Sequence, residues 1–220
     1  MRRVIAALAM FMASVLLFTG CESGLSDVGE PLTIEQSELL AQTRFQIASR
    51  GTVVMDISVL PADDIDHLDL SVTVDFDDAV AWGVMMRGPE SIAVSEEVAF
   101  TPETIATREG DRWQSVSFDN GAIRALAVVF ALASDRPENA LLLRQSGATY
   151  LGTVEVDGEQ QSVFRVPSDD ISSSSMTRLW LDDQGKLRRL DTGGDQQFVI
   201  LMTDAQPQPR PIGLEGSHSN

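Results

Sequence analysis

The spacing of apolar and polar positions alternates between helical and extended along the chain. Thr33 to Arg50 carries an imperfect 3.6-residue stripe of Ile34, Leu39, Leu40, Phe45 and Ile47, behind a Thr33 suited to cap a helix. A helix is predicted there, stopped by Gly51. From Thr52 the period falls to two: Val53, Met55, Ile57 and Val59 oppose Val54, Asp56, Ser58 and Leu60. After an acidic turn from Pro61 to His67, alternation is strict from Leu68 to Asp77, with Leu68, Leu70, Val72, Val74 and Phe76 on one side. A strand with one apolar and one wet face belongs to an antiparallel sheet. Val80 to Arg87 is apolar on both faces, Trp82, Val84 and Met86 opposing Ala81, Gly83 and Met85. Shorter strands are predicted at Ser91–Ser95, Val98–Thr101 and Arg112–Ser117.

The middle of the chain is helical again. From Ile123 to Ala133 only Arg124 is polar, so a helix over Asn120–Ala133 must be covered on most sides. A second helix is predicted from Asp135, with Pro137 in its first turn and Leu141, Leu142 and Leu143 in its body. Strands then return at Ala148–Val156, Ser162–Val166, Thr177–Leu181, Leu187–Asp191 and Gln197–Thr203. Asp157-Gly158 is a hairpin signal, and Asp182-Asp183-Gln184-Gly185 reads as another turn. Helices segregated from many short strands predict an α+β fold. A sheet of this length twists and curls, so the apolar helices are expected in its concave face. The stretch from Gln206, Gln-Pro-Gln-Pro-Arg-Pro, is predicted to be extended and loose.

Composition removes several function classes. Acidic residues outnumber basic ones 33 to 16, a net charge of −17, which supplies no basic patch for nucleic acid. One Cys excludes an intramolecular disulfide, and two His leave little for a metal cluster or a catalytic triad. His67 and His218 read as solvated loop residues, and no carboxylate stands out as a desolvated acid. No enzymatic activity, metal or cofactor is predicted. The aspartates between Asp63 and Asp78 suit a calcium ion chemically, but Asp69, Asp75 and Asp77 alternate along a strand and read as its wet face. What stands out is surplus apolar material: the 120–146 segment with Met55, Trp82, Met85, Met86 and Phe100. It reads either as packed core or as the wall of a pocket for a chain-like ligand.

The N-terminus has its own logic. Arg2 and Arg3 precede an apolar run from Val4 to Phe18, short for a membrane span and fitting a secretory signal. Leu17-Phe18-Thr19-Gly20-Cys21 resembles a bacterial lipobox. That resemblance implies cleavage before Cys21 and attachment of fatty acyl chains, palmitate among them, to this residue. Losing residues 1–20 removes two of the 16 basic residues and no acid, so 14 bases and 33 acids leave a net charge of −19. Anionic head groups repel such a body, whereas two or more acyl chains anchor it stably. Residues 21–31 read as a lipidated end and short tether, 32–205 as one domain, and 206–220 as the tail.

The whole pattern resembles the actinobacterial LppX/LprAFG lipoproteins, whose fold is like that of LolA and LolB. The resemblance is carried by the lipobox, Gly51 before the first long strand, Gly110-Asp111-Arg112-Trp113, Gly152-Thr153-Val154-Glu155-Val156-Asp157-Gly158, and Leu179-Trp180-Leu181-Asp182-Asp183-Gln184-Gly185-Lys186-Leu187-Arg188-Arg189. Phe100 stands where Tyr is usual, and Val80 to Met86 is more apolar than the family pattern. The resemblance implies a strongly curved antiparallel half-barrel wrapped on a few helices. It also implies an apolar cavity that takes the acyl chain of a lipid or glycolipid, carried within the cell envelope. The lining residues expected on that basis are Val53, Met55, Ile57, Val72, Val74, Trp82, Val84, Ile123, Leu126, Val129, Phe130 and Leu142. Arg87, Arg112 and Arg124 are the candidate head-group contacts. The protein is then expected to be a monomer outside the cytoplasm, held to the membrane through Cys21, with a transporter or envelope protein as partner. The other reading is a lipid-anchored scaffold with a filled core and no cargo.

Overall fold

The computed structural model describes residues 25–26, 28–60, 68–88, 94–116, 120–167, 176–192, 197–212 and 214; of residues 60, 94, 120–125, 176 and 197 the backbone alone is described. The expectations for the signal sequence, Cys21, the 61–67 turn, His67 and His218 lie outside these residues. Chain order begins β1 (Glu30–Pro31), α1 (Ile34–Ser49), β2 (Thr52–Leu60), β3 (Leu68–Asp75), β4 (Val80–Arg87), β5 (Val94–Phe100), β6 (Ile105–Glu109) and β7 (Arg112–Val116). It continues α2 (Asn120–Ala131), α3 (Ala140–Gln145), β8 (Thr149–Val156), β9 (Glu159–Pro167), β10 (Met176–Leu181), β11 (Leu187–Thr192) and β12 (Gln197–Thr203). No helix among the described residues is long and apolar enough to cross a membrane.

The described strands form one curved antiparallel sheet in the order β1-β8-β9-β10-β11-β12-β2-β3-β4-β5-β6-β7. Two meanders, β2–β7 and β8–β12, meet where β12 pairs with β2 from Gln197↔Leu60 to Thr203↔Val54. The helices between and before the meanders lie on one face, called inner here. There Leu40 and Ile47 of α1, Leu126 and Val129 of α2 and Leu132 just beyond it join the buried side chains of β2, β3, β5, β9, β11 and β12 in a single core. The α+β fold expected from the strand pattern, with the curved antiparallel sheet wrapped on helices that the resemblance implies, is the observed architecture.

Local chemistry explains the elements. The Thr33 hydroxyl accepts the Gln36 N–H at 3.2 Å while the Gln36 side chain accepts the Thr33 N–H at 2.9 Å, a complete capping box that starts α1. The apolar stripe of α1 is only partly inward: Ile34 and Phe45 are exposed, and Ser37, Ala41 and Thr43 are buried beside Leu40 and Ile47. Small buried hydroxyls let the helix sit close to the β10–β11 turn. Ser37 donates to the Ile34 carbonyl at 2.7 Å, and Thr43 donates to the Gly185 carbonyl at 3.3 Å. In that turn Asp182 accepts the Gln184 and Lys186 N–H groups at 3.0 and 2.9 Å, so the Asp-Asp-Gln-Gly run is a hairpin turn as read. Asp157 and Gly158, with φ of 53° and 83°, make the other predicted hairpin.

Four expectations are corrected. The second middle helix starts at Ala140, not Asp135, because Asn139 is its cap: the Asn139 side chain accepts the Leu141 N–H at 3.0 Å. Strand β6, Ile105–Glu109, has no clean alternation and was not predicted; it forms by pairing with β5 and β7. The N-terminal tether is docked rather than free. Glu30 and Pro31 pair with Tyr150 and Thr149, Ser26 donates its N–H to the Leu151 carbonyl at 2.8 Å, and Leu25 packs against Leu151, Val163 and Trp180.

The last correction concerns the tail, which is extended but not loose. It crosses the outer face of β3 and β4, where Trp82 donates its indole N–H to the Gln208 carbonyl at 3.2 Å and Gln208 donates to the Thr73 hydroxyl at 2.9 Å. Arg210 pairs with Asp78 and stands over the Trp82 ring at 5.9 Å. Leu214 joins Val80, Trp82, Ala99 and Trp113 in an outer cluster. This cover is why β4 is apolar on both faces.

Candidate functional site

The inner face of the sheet is the candidate site. Side chains opposite one another on neighbouring antiparallel strands share a face, so the register assigns it. Val53, Met55 and Ile57 of β2 stand beside Val74, Val72 and Leu70 of β3. Those in turn stand beside Ala81, Gly83 and Met85 of β4. Val98 and Phe100 of β5 extend the row on one side, and Met202, Ile200 and Phe198 of β12 on the other. Among the described residues no buried position of this face carries a charge: the buried acids, Asp182 and Asp191, lie in the β10–β11 turn and opposite Arg178 on the outer face.

Helix α2 covers this face. Leu126 and Val129 are fully buried in the shared core, and Phe130 is half-buried. Its ring meets Phe100 edge-on with centroids 5.8 Å apart, a favoured aromatic geometry. Phe100 therefore packs apolar-to-apolar against the helix.

Of the expected lining residues, Val53, Met55, Ile57, Val72, Val74, Leu126, Val129 and Phe130 are brought together in this layer. The side chain of Ile123 is outside the described set. Three residues are misplaced by the sequence reading. Trp82 and Val84 are on the outer face, because β4 pairs so that Ala81, Gly83 and Met85 point inward; Trp82 lies under the tail and Val84 is 37% exposed. A one-residue choice of face reverses every side chain of a strand, and a strand apolar on both sides gives no signal for that choice. Leu142 is 59% exposed: once α3 starts at Ala140, Leu143 is the member of the Leu triplet that packs on the core. The reading also omitted the inward residues of β9–β12, such as Phe164, Leu190, Ile200 and Met202. Their two-residue period is visible in the sequence, but the pairing of β12 with β2 that brings them to the site is not.

The two ends of the sheet differ. At the end where β2 begins, Asp204 binds Lys186 and Arg188, the latter at 2.8 Å, with the Arg50 guanidinium at 3.9 Å. Arg188 also reaches Asp182 at 3.2 Å and Glu159 at 2.9 Å. The hydrogen bonds from Lys186 and then Arg188 hold the Asp204 carboxyl down at about 2, and the hydrogen bond to Asp204 raises the Arg188 guanidinium against the opposing effect of burial. This network and the α1 contact with the β10–β11 turn fasten that end. Alternating strand direction puts the last residue of β4, Arg87, and the first of β7, Arg112, at the other end. Both are exposed there, Arg87 opposite Leu68 and Arg112 opposite Glu109. The Arg124 side chain is not described.

Neither a protein-family model nor a curated protein sequence matches the chain. Solved structures do. The lipoprotein LppX of Mycobacterium tuberculosis superposes with a TM-score of 0.51 at 14% identity, over 79% of this chain and 97% of LppX. LprF of Mycobacterium bovis gives 0.49 at 19% identity over 83% and 99%, and a LolA superfamily protein of Nitrosomonas europaea 0.31 at 11% over 82% and 96%. At these identities the likeness is one of fold, and it agrees with the resemblance read from the sequence: the chain has the fold of LppX.

Proposed function

We propose that the protein is a lipid-anchored extracytoplasmic carrier that holds the acyl part of a lipid or glycolipid between the inner sheet face and α2. The observation that carries this reading is the inner face, whose buried described positions carry no charge, continuous across β5, β4, β3, β2 and β12 and closed by an apolar helix. Burying an acyl chain there is favourable at about 25 cal/mol per Å² of apolar surface. With one end fastened by the Asp204 network, the chain enters from the end of Arg87 and Arg112, whose guanidiniums meet the polar head group. Helix α2 parts from the sheet to admit it, since a closed core has no route in. The LppX-like fold is consistent with this, and Cys21 supplies the membrane anchor. Delivery is to a transporter or another envelope protein.

The test is native mass spectrometry of residues 22–220 purified from a lipid-rich host, followed by solvent extraction. A stoichiometric co-purifying lipid is expected, and its extraction names the cargo class. An apo mass that persists after incubation with mixed lipids would sink the carrier reading and leave the scaffold with a filled core.

A further inference from the structure

The N-terminal segment is a clasp, and its position says which face of the protein meets the membrane. Leu25 sits in an apolar cluster on the outer face with Leu151, Val163 and Trp180, and half-buried Val154 packs there too. The Ser26 bond to Leu151 and the β1–β8 pairing hold the residues that follow. Three residues separate Cys21 from Leu25, so four backbone steps keep an acylated Cys21 within about 14 Å of Leu25. An anchor on so short a lead does not let the body turn freely. It keeps the outer face of β8–β10 beside the head groups.

The composition of that face fits such a neighbour. Apart from the Arg188–Glu159 pair at the hairpin end, the described outward positions of β8–β11 carry Arg165, Arg178 and Arg189 against one acid, Asp191. The chain as a whole has 33 acids to 16 bases. Arg189 is bound to Asp191 at 2.7 Å through both nitrogens that face it and lies over the Trp180 ring at 4.8 Å, and Arg165 and Arg178 also have partners within the protein. The balance of sign still favours this face over the acidic remainder at an anionic surface.

We infer that the outer face of β8–β10 is a membrane-docking face that rests on anionic lipid, set in place by the Leu25–Pro31 clasp. This rests on the lipid anchoring of Cys21 proposed above. The test uses the full chain, lipidated in a host that processes lipoproteins and reconstituted into vesicles of phosphatidylcholine and phosphatidylglycerol. Acylation occupies the native thiol, so Val156→Cys on the outer face of β8 and Ser95→Cys on the outer face of β5 each accept a single bimane label. Doxyl-labelled lipid is expected to quench the first label several-fold more than the second, and Leu25→Asp, which undocks the clasp, is expected to erase the difference. Equal quenching at both sites, stronger quenching at Ser95→Cys, or a contrast that survives Leu25→Asp overturns the docking face while the anchoring stands. Failure of the protein to float with the vesicles overturns the anchoring itself, and the docking face with it.

Discussion

Gly83 shows how much one residue can decide in this sheet. A Cβ there would lie 2.1 Å from the Ser71 carbonyl oxygen and 2.8 Å from the Val72 Cα, both backbone atoms of β3 that cannot swing aside. Gly83→Ala is expected to cost at least about 2 kcal/mol, as forced overpacking does, and roughly 4–8 °C in Tm for a chain of this size. Calorimetry checks it; an unchanged Tm would mean that β4 does not approach β3 as described. Asp204 carries the pH prediction. Its folded carboxyl is held at about 2, below the ordinary 3.8, so its stabilising effect is full above the unfolded value and is lost as pH falls from about 4 towards 2. Asp204 is 61% exposed, so the effect is modest and salt-sensitive. A denaturation series from neutral pH downward is expected to show wild type above Asp204→Asn, the gap closing across that window and narrowing at high salt. Neither contact is legible in the sequence: Gly83 is separated from Ser71 by a turn, and Asp204 from Lys186 by two whole strands.

At the scale of elements, capping and turn chemistry are local and the sequence states them plainly. Thr33 starts α1, Asp157-Gly158 turns β8 into β9, and Asp182 organises the β10–β11 turn, each as the spacing predicts. What local pattern does not state is who covers an apolar face. The tail is the clearest case, since Gln-Pro-Gln-Pro-Arg-Pro reads as loose until Trp82, Thr73 and Asp78 are seen to hold it. Deleting residues 206–220 should uncover Trp82 and Val80 at a cost of about 2 kcal/mol, the scale of exposing one large apolar side chain. The checks are a lower urea midpoint and a red-shifted tryptophan emission. An unshifted spectrum would mean that the tail does not cover the indole.

At the scale of the whole molecule, the question is whether the layer between sheet and α2 opens for a guest. Leu126, 1% exposed, is the position that distinguishes the answers. If the layer admits an acyl chain, Leu126→Trp occupies the guest's space, so the unliganded Tm stays near wild type while stabilisation by added lipid disappears. If the layer is a permanent core, the same change overpacks it and costs about 1–3 kcal/mol, with no lipid effect in either protein. The sequence by itself determined the class of fold, because period-two alternation with short turns leaves little besides an antiparallel sheet, and an all-apolar helix must be buried against it. It also determined most of the inner face, since Leu68 to Val74 alternates with polar residues and Asp56 and Ser58 interleave Met55, Ile57 and Val59, which names the wet side. Only the tertiary structure decided the facing of β4, the exposure of Leu142, and the docking of the two terminal segments. Those depend on pairings and covers contributed from distant parts of the chain, and a local pattern carries no information about what will come to lie on top of it.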